Sequence, residues 1–237
     1  MRRRTFLESA AAVAAIGWPV GLRRPRLADY LLVPMDEGQG DHLKAYGLTY
    51  RLLERGGKCE WLLNYRGGSF LLPGDSVTTR DAVLSGVTAQ PVDEATVFQV
   101  KAEIRESNMD AVPLEKGPKV AVYAPQNAAP WDDAVTMALQ YAGITFDKIW
   151  DEEVVGDKLR TYDWLHLHHE DFTGQYSKFF LNYNGAPWLQ EMVERNERMA
   201  KKLGFRDVPS EKRAVAYAIA QFVERGGFLF AMCTATE

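Results

Sequence analysis

The chain has 237 residues, 46% hydrophobic and 25% charged, an ordinary globular composition with length for one large or two small domains. Its formal charge of −4 argues against nucleic acid as a partner. The argument strengthens once Arg2, Arg3, Arg4, Arg23, Arg24 and Arg26 are set against Glu8, because the rest of the chain is then more acidic than the whole. Two cysteines, Cys59 and Cys233, are too few for a disulfide framework and read as thiols.

Residues 1–28 read as a targeting segment. Arg3-Arg4-Thr5-Phe6-Leu7 fits the twin-arginine export pattern, and the Ala-rich run from Ser9 to Leu22 that follows is too short to span a bilayer comfortably. The expected location is the periplasm or cell envelope, with membrane contact through this segment alone.

Residues 29–115 read as a first α/β unit. Tyr30-Leu31-Leu32-Val33 is an apolar strand ending in a polar loop through Asp36-Glu37-Gly38, and apolar residues at helical spacing then run to Gly56-Gly57. Cys59 to Tyr65 and Ser69 to Leu72 read as strands about the turn Arg66-Gly67-Gly68, with Trp61 to Asn64 expected beside the first strand. Helices are expected from Thr79 to Leu84, started by Thr78 or Thr79, and from Asp93 to Arg105, started by Asp93. Asn108 to Pro118, with two prolines, reads as a linker.

Residues 116–237 read as a second α/β unit, incomplete at its C-terminus. The sequence predicts strands at Lys119–Tyr123, Ile144–Ile149, Tyr162–His168 and in the run that ends at Cys233. Helices are expected over Ala134–Ala142, Trp188–Leu203 and Glu211–Arg225, the last capped by Ser210. Alternation of strand and helix along the chain implies an α/β fold with a mainly parallel sheet flanked by helices, in which ligands bind at the carboxyl edge of the strands.

Three clusters there have chemical potential. Cys233 ends an apolar strand among small neighbours, as a nucleophile on a sharp turn does; a buried small hydrophobe reads the same way. His166-Leu167-His168-His169-Glu170-Asp171 holds three of the four histidines, with His166 and His168 on one face of a strand and His169 on the other. His168 or His169 reads as a general base, with Glu170 beside it. The same stretch also reads as a metal site of His166, His168, Glu170 and Asp171, or as a strand end bonded to itself. Backbone amides at Gly174 and after Cys233, at Thr234, are the expected oxyanion donors. Asp36 and Glu37 read as a site for a cation or substrate amine, or as a solvated turn. No cofactor is implied, and oligomeric state is not legible.

Several of these stretches carry a resemblance. Asp41-His42-Leu43-Lys44-Ala45-Tyr46-Gly47, Trp61-Leu62-Leu63-Asn64-Tyr65-Arg66-Gly67-Gly68-Ser69-Phe70, Asp163-Trp164-Leu165-His166-Leu167-His168-His169-Glu170-Asp171-Phe172-Thr173-Gly174-Gln175 and Phe228-Leu229-Phe230-Ala231-Met232-Cys233 together resemble an exported bacterial family often labelled asparagine synthetase B. The C-terminal part of that family is similar to the class I glutamine amidotransferase fold, a flavodoxin-like sheet with a cysteine at its nucleophile elbow. The resemblance implies a cysteine-dependent amidase or hydrolase on a small-molecule or cell-envelope substrate. A non-catalytic envelope binding or scaffolding protein, and a metal-dependent hydrolase at the His-rich strand end, stand as alternatives. Synthetase chemistry is not implied, since position 2 is Arg2 rather than cysteine and no Ser-Gly-Gly-x-Asp-Ser loop occurs. The elbow reads Ala231-Met232-Cys233-Thr234-Ala235 in place of Gly-x-Cys-x-Gly, and no histidine follows His169, so Cys233 alone carries over.

Overall fold

The computed structural model describes residues 28–125, 134–168 and 170–236. The expected targeting segment lies outside them apart from Ala28, as does His169. Among the described residues no helix is long and apolar enough to cross a membrane.

The first unit contains β1 (Tyr30–Val33), α1 (His42–Glu54), β2 (Cys59–Leu63), β3 (Ser69–Pro73), α2 (Ser76–Ser85), β4 (Gln90–Val92), α3 (Glu94–Glu106) and β5 (Asp110–Leu114). Its five strands lie in the order β4-β1-β3-β2-β5, and every neighbouring pair is antiparallel. This corrects the expectation of one mainly parallel sheet. The turn from β2 to β3 is so tight that β3 drops back between β2 and β1, pairing Leu31 with Leu72 and Trp61 with Phe70. The strands β1 and β2 therefore point the same way without touching. Gly67 makes the turn possible: its φ is +80°, and a Cβ there would stand 2.4 Å from the Met35 carbonyl oxygen.

Both outer strands of this sheet contain a proline, Pro91 in β4 and Pro113 in β5. A residue without an N–H fits an edge, where that side faces no partner. The expected linker after Asn108 is in fact β5, five residues paired in register with β2. Helices α1 and α2 cover one face of the sheet through Ala45, Leu48, Leu52 and Ala82, and α3 covers the other through Val97 and Ile104. The start of α2 is set by Asp75, which accepts from the Val77 and Thr78 amides at 2.9 and 3.0 Å, three residues ahead of the expected start.

The second unit contains β6 (Val120–Tyr123), α4 (Ala134–Ala142), β7 (Phe146–Ile149), α5 (Asp151–Val155), β8 (Trp164–Leu167), α6 (Ser177–Tyr183), α7 (Pro187–Lys202), α8 (Val208–Glu224) and β9 (Phe228–Ala231). The sheet is parallel throughout, in the order β7-β6-β8-β9. Alternate residues serve its two faces. Ala121, Tyr123, Ile149, Leu165 and Leu167 pack with Val154 of α5 and with Val215, Ile219 and Phe222 of α8, while Val120 and Val122 face Leu139 of α4. Helix α8 starts at Asp207, which accepts from the Ser210 amide at 2.9 Å, and Pro209 is accommodated in its first turn.

The units meet where α1 crosses α4. Gly47 lies directly on the backbone of Ala142, Arg51 donates to the Ala142 carbonyl at 3.0 Å, and the Tyr50 hydroxyl donates to the carbonyls of Pro118 and Thr145, each at 3.2 Å. The parallel sheet is thus held to the antiparallel unit through α1 and α4.

Candidate active site at the carboxyl edge of the parallel sheet

In the order β7-β6-β8-β9, the chain leaves β6 toward one side of the sheet and later continues from β8 toward the other. The crevice above such a reversal is where open α/β sheets place ligands. Here it is flanked by the ends of β6 at Tyr123 and β8 at Leu167, with β9 next in line.

Cys233 stands just past β9. The Met232 amide still donates to the Leu167 carbonyl at 3.0 Å, so the chains stay paired to that point. The backbone then turns: Cys233 has φ +54° and opens a 3-10 turn over Cys233–Thr236, closed by Ala235 N–H to Met232 O at 3.1 Å and Thr236 Oγ1 to Cys233 O at 2.6 Å. A non-glycine residue in the left-handed region costs about 1–3 kcal/mol, and such residues gather at functional turns. The Cys233 side chain is exposed. Strand, left-handed residue, helical turn and exposed thiol are the backbone features that a nucleophile elbow requires. Thr234 lies inside this turn; its side chain is outside the described residues.

His166 is fully buried, its ring stacked on Phe230 at 5.5 Å and 23° and lying 6.0 Å from His168. It packs between strands, as the parallel register pairing His166 with Phe230 requires. His168 is half-buried and comes level with Met232, one step beyond the Leu167–Ala231 pair. Glu170, also half-buried, acts electrostatically on the Tyr123 phenol at the end of β6.

The other expected residues lie apart from Cys233 or are bonded within their own loops. Asp171 organises its own loop, accepting from Thr173 N at 2.8 Å, Thr173 Oγ1 at 2.6 Å and Tyr176 N at 2.7 Å. Burial acts to raise its carboxyl, and those hydrogen bonds outweigh it and hold the group below the usual range. Gly174, at φ +66°, lies so close to the first turn of α8 that a Cβ would stand 2.9 Å from Pro209 N. It lines a cavity of about 460 Å³ with Tyr176, Lys201, Arg206 and Asp207, a lining that includes neither Cys233 nor His168. Among the described residues no three His, Cys, Asp or Glu side chains converge as a metal shell.

Asp36 and Glu37 sit at the end of β1, in the other unit. Asp36 is 2.7 Å from Arg66 Nε and accepts from the Gly38 amide at 3.0 Å, and the bond to Arg66 is the main reason its carboxyl titrates low. The pair ties the β2–β3 turn to the end of β1. Glu37 is exposed.

Sequence reasoning passed over a second cluster under the same edge. Lys212 of α8 donates to Asp151 Oδ1 and Oδ2 at 2.9 and 2.7 Å and to the Tyr123 hydroxyl at 3.2 Å, with its ammonium 4.4 Å from the centre of a Trp150 ring. The Tyr123 hydroxyl donates to Asp151 Oδ1. Glu211 adjoins them at 0% exposure, and burial first, then the Asp151 charge, push its carboxyl up to about 8 against the pull of Lys212. The available signal was the stripe Val208, Val215, Ile219, Phe222, which is apolar except where Glu211 and Lys212 interrupt it.

Searches of known family models, of curated proteins and of solved structures find no match to this chain.

Proposed function

We propose that this chain is an amidotransferase-like hydrolase in which Cys233 is the nucleophile, exported by the twin-arginine route and acting on a small-molecule or cell-envelope amide. The observation that carries the reading is the left-handed backbone of Cys233, an exposed thiol raised on a strand-to-helix turn at the carboxyl edge. The strand order, second-first-third-fourth in chain order, supports a flavodoxin-like sheet of the class I amidotransferase kind.

In this scheme a histidine at the end of β8, His168 or its neighbour His169, takes the thiol proton, with Glu170 beside them. The thiolate forms a bond to the amide carbonyl carbon, and the amides of the turn that Cys233 opens hold the resulting oxyanion. The carbon–nitrogen bond breaks as the imidazolium returns its proton to the leaving amine. Water then cleaves the thioester, releasing a carboxylic acid and restoring the thiol.

The test is the pH dependence of iodoacetamide alkylation of Cys233 in a Cys59→Ala background, with and without His168→Ala. A thiol pKa well below the ordinary ~8.5 that rises when His168 is removed supports the pair. An ordinary or raised value, indifferent to His168, overturns its assignment as the activating base; indifference to His169→Ala as well overturns the mechanism.

A further inference from the structure

Asp151 and Glu211 bring two carboxyl groups into the core of the parallel unit beside one cation, and that cation is already committed. Lys212 directs its donors at both Asp151 oxygens and at Tyr123. Neither Glu211 oxygen has a hydrogen-bond donor among the described residues, and the side chain its carboxyl meets is Asp151. Ionised, the pair would set two anions against one cation where Lys212 is 2% exposed and both acids 0%. Two facing carboxyl groups approach one another with a proton between them.

The other groups around the site do not change that balance. From β6 comes Tyr123, whose phenol is held neutral, first by burial and then by Asp151. From the segment after β8 come Glu170, which acts on Tyr123, and Tyr176, whose phenol feels Glu211. From α7 comes the neutral amide of Asn196, bonded to the Tyr176 hydroxyl at 3.0 Å. None of these is a second cation.

We infer that Glu211 holds a proton shared with Asp151, and that this proton locks the first turns of α8 against α5 and β6, forming a switch that loosens on the alkaline side. The direction of the Glu211 shift agrees with this geometry. Because α8 leads through Arg225-Gly226-Gly227 into β9, release of the lock reaches the strand that carries Cys233. The inference does not depend on the hydrolase reading: it concerns a proton and a helix, and its test needs no substrate.

The test uses the full chain labelled with 13C at glutamate carboxyl carbons, with the Glu211 resonance identified by its loss in E211Q. Its expected titration midpoint is about 8, against ~4.3 for an ordinary glutamate. In parallel, urea unfolding of wild type and E211Q is followed from about pH 4 to 9. Native Glu211 keeps its proton where the unfolded side chain has lost it, so its stabilisation is complete below the unfolded value and is lost as pH rises through about 8. The two proteins should coincide near the acid end. The wild-type unfolding constant should then grow about tenfold per pH unit relative to E211Q, and the curves should run parallel above the midpoint. A midpoint below about 5, an offset independent of pH, or stability that responds to added sodium or potassium because a cation neutralises Glu211 in place of the proton would each overturn the inference. If E211Q does not fold, the wild-type titration alone decides it.

Discussion

The ammonium of Lys212 lies 2.7 and 2.9 Å from the two carboxylate oxygens of Asp151, joining α8 to the start of α5 inside the core. Removing one member leaves the other charge buried without compensation, at a cost of about 3–5 kcal/mol for pairs of this kind. Lys212→Met should therefore lower the urea midpoint sharply, and Asp151→Asn added to it should recover part of the loss. A double variant no more stable than Lys212→Met would mean that the Tyr123 hydroxyl and the Glu211 proton suffice to hold the Asp151 charge once Lys212 is gone.

Contact between the units is tested at Gly47. A Cβ there would stand 1.7 Å from the Ala142 carbonyl oxygen, a backbone atom that cannot swing aside. Gly47→Ala must push α1 away from α4, breaking the Arg51 bond to the same carbonyl, and overpacking of this sort costs about 1–3 kcal/mol or more. Gly185→Ala, where an added Cβ meets nothing within 4 Å, is the control and should be near neutral by thermal melting. Equal melting temperatures for both variants would show that the α1–α4 contact yields without penalty.

How far the sequence carries can be judged from particular elements. The end of helix α4 was legible to the residue, Ala142, because an Ala-Gly pair closes an apolar stripe, while the acidic start expected at Asp132 and Asp133 lies outside the described residues. Strands β4 and β5 were not, because proline reads locally as a break and only the sheet makes these segments edges. The hairpin of β2 and β3 was legible in Arg66-Gly67-Gly68. The expected pairing of β1 with Trp61 to Asn64 was wrong, because β3 lies between β1 and β2 and the close approach of Gly67 to the Met35 carbonyl is not visible locally. The positions of Cys233 and His168 at the ends of β9 and β8 were legible because each follows an apolar run. Glu211 and Lys212 look like a solvated charge pair on a helix; what buries them are partners 61 and 89 residues away, Asp151 and Tyr123.

Helix α8 should also respond to acid through its cap. Asp207 accepts from Ser210 N at 2.9 Å and Ser210 Oγ at 2.5 Å and pairs with Arg206, and these bonds hold its carboxyl at about 2. The native value lies below the unfolded one, so this contribution is present above pH ~4 and is lost as pH falls through about 2. Asp207→Ala should unfold at lower urea concentration than wild type at pH 6, with the difference shrinking as pH falls. Asp207→Asn, which still caps, should lie between them. A difference that stays constant from pH 6 to 2 would assign the effect to packing rather than to the carboxylate.

The two thiols should separate cleanly. Cys59 is buried at the start of β2 under α1, and burial first, then the Glu60 charge, push it up to about 11. At pH 8 such a group keeps only about a thousandth of its population as thiolate, the reactive form. Cys233 is exposed on its turn. Alkylation of the native protein, read by peptide mass spectrometry, should therefore modify Cys233 completely before Cys59 is detectable, and urea should bring Cys59 into reaction at once. Comparable native rates would mean that the layer formed by α1 opens on the timescale of labelling, a motion that its contacts with β1 and β3 through Leu48 and Leu52 oppose.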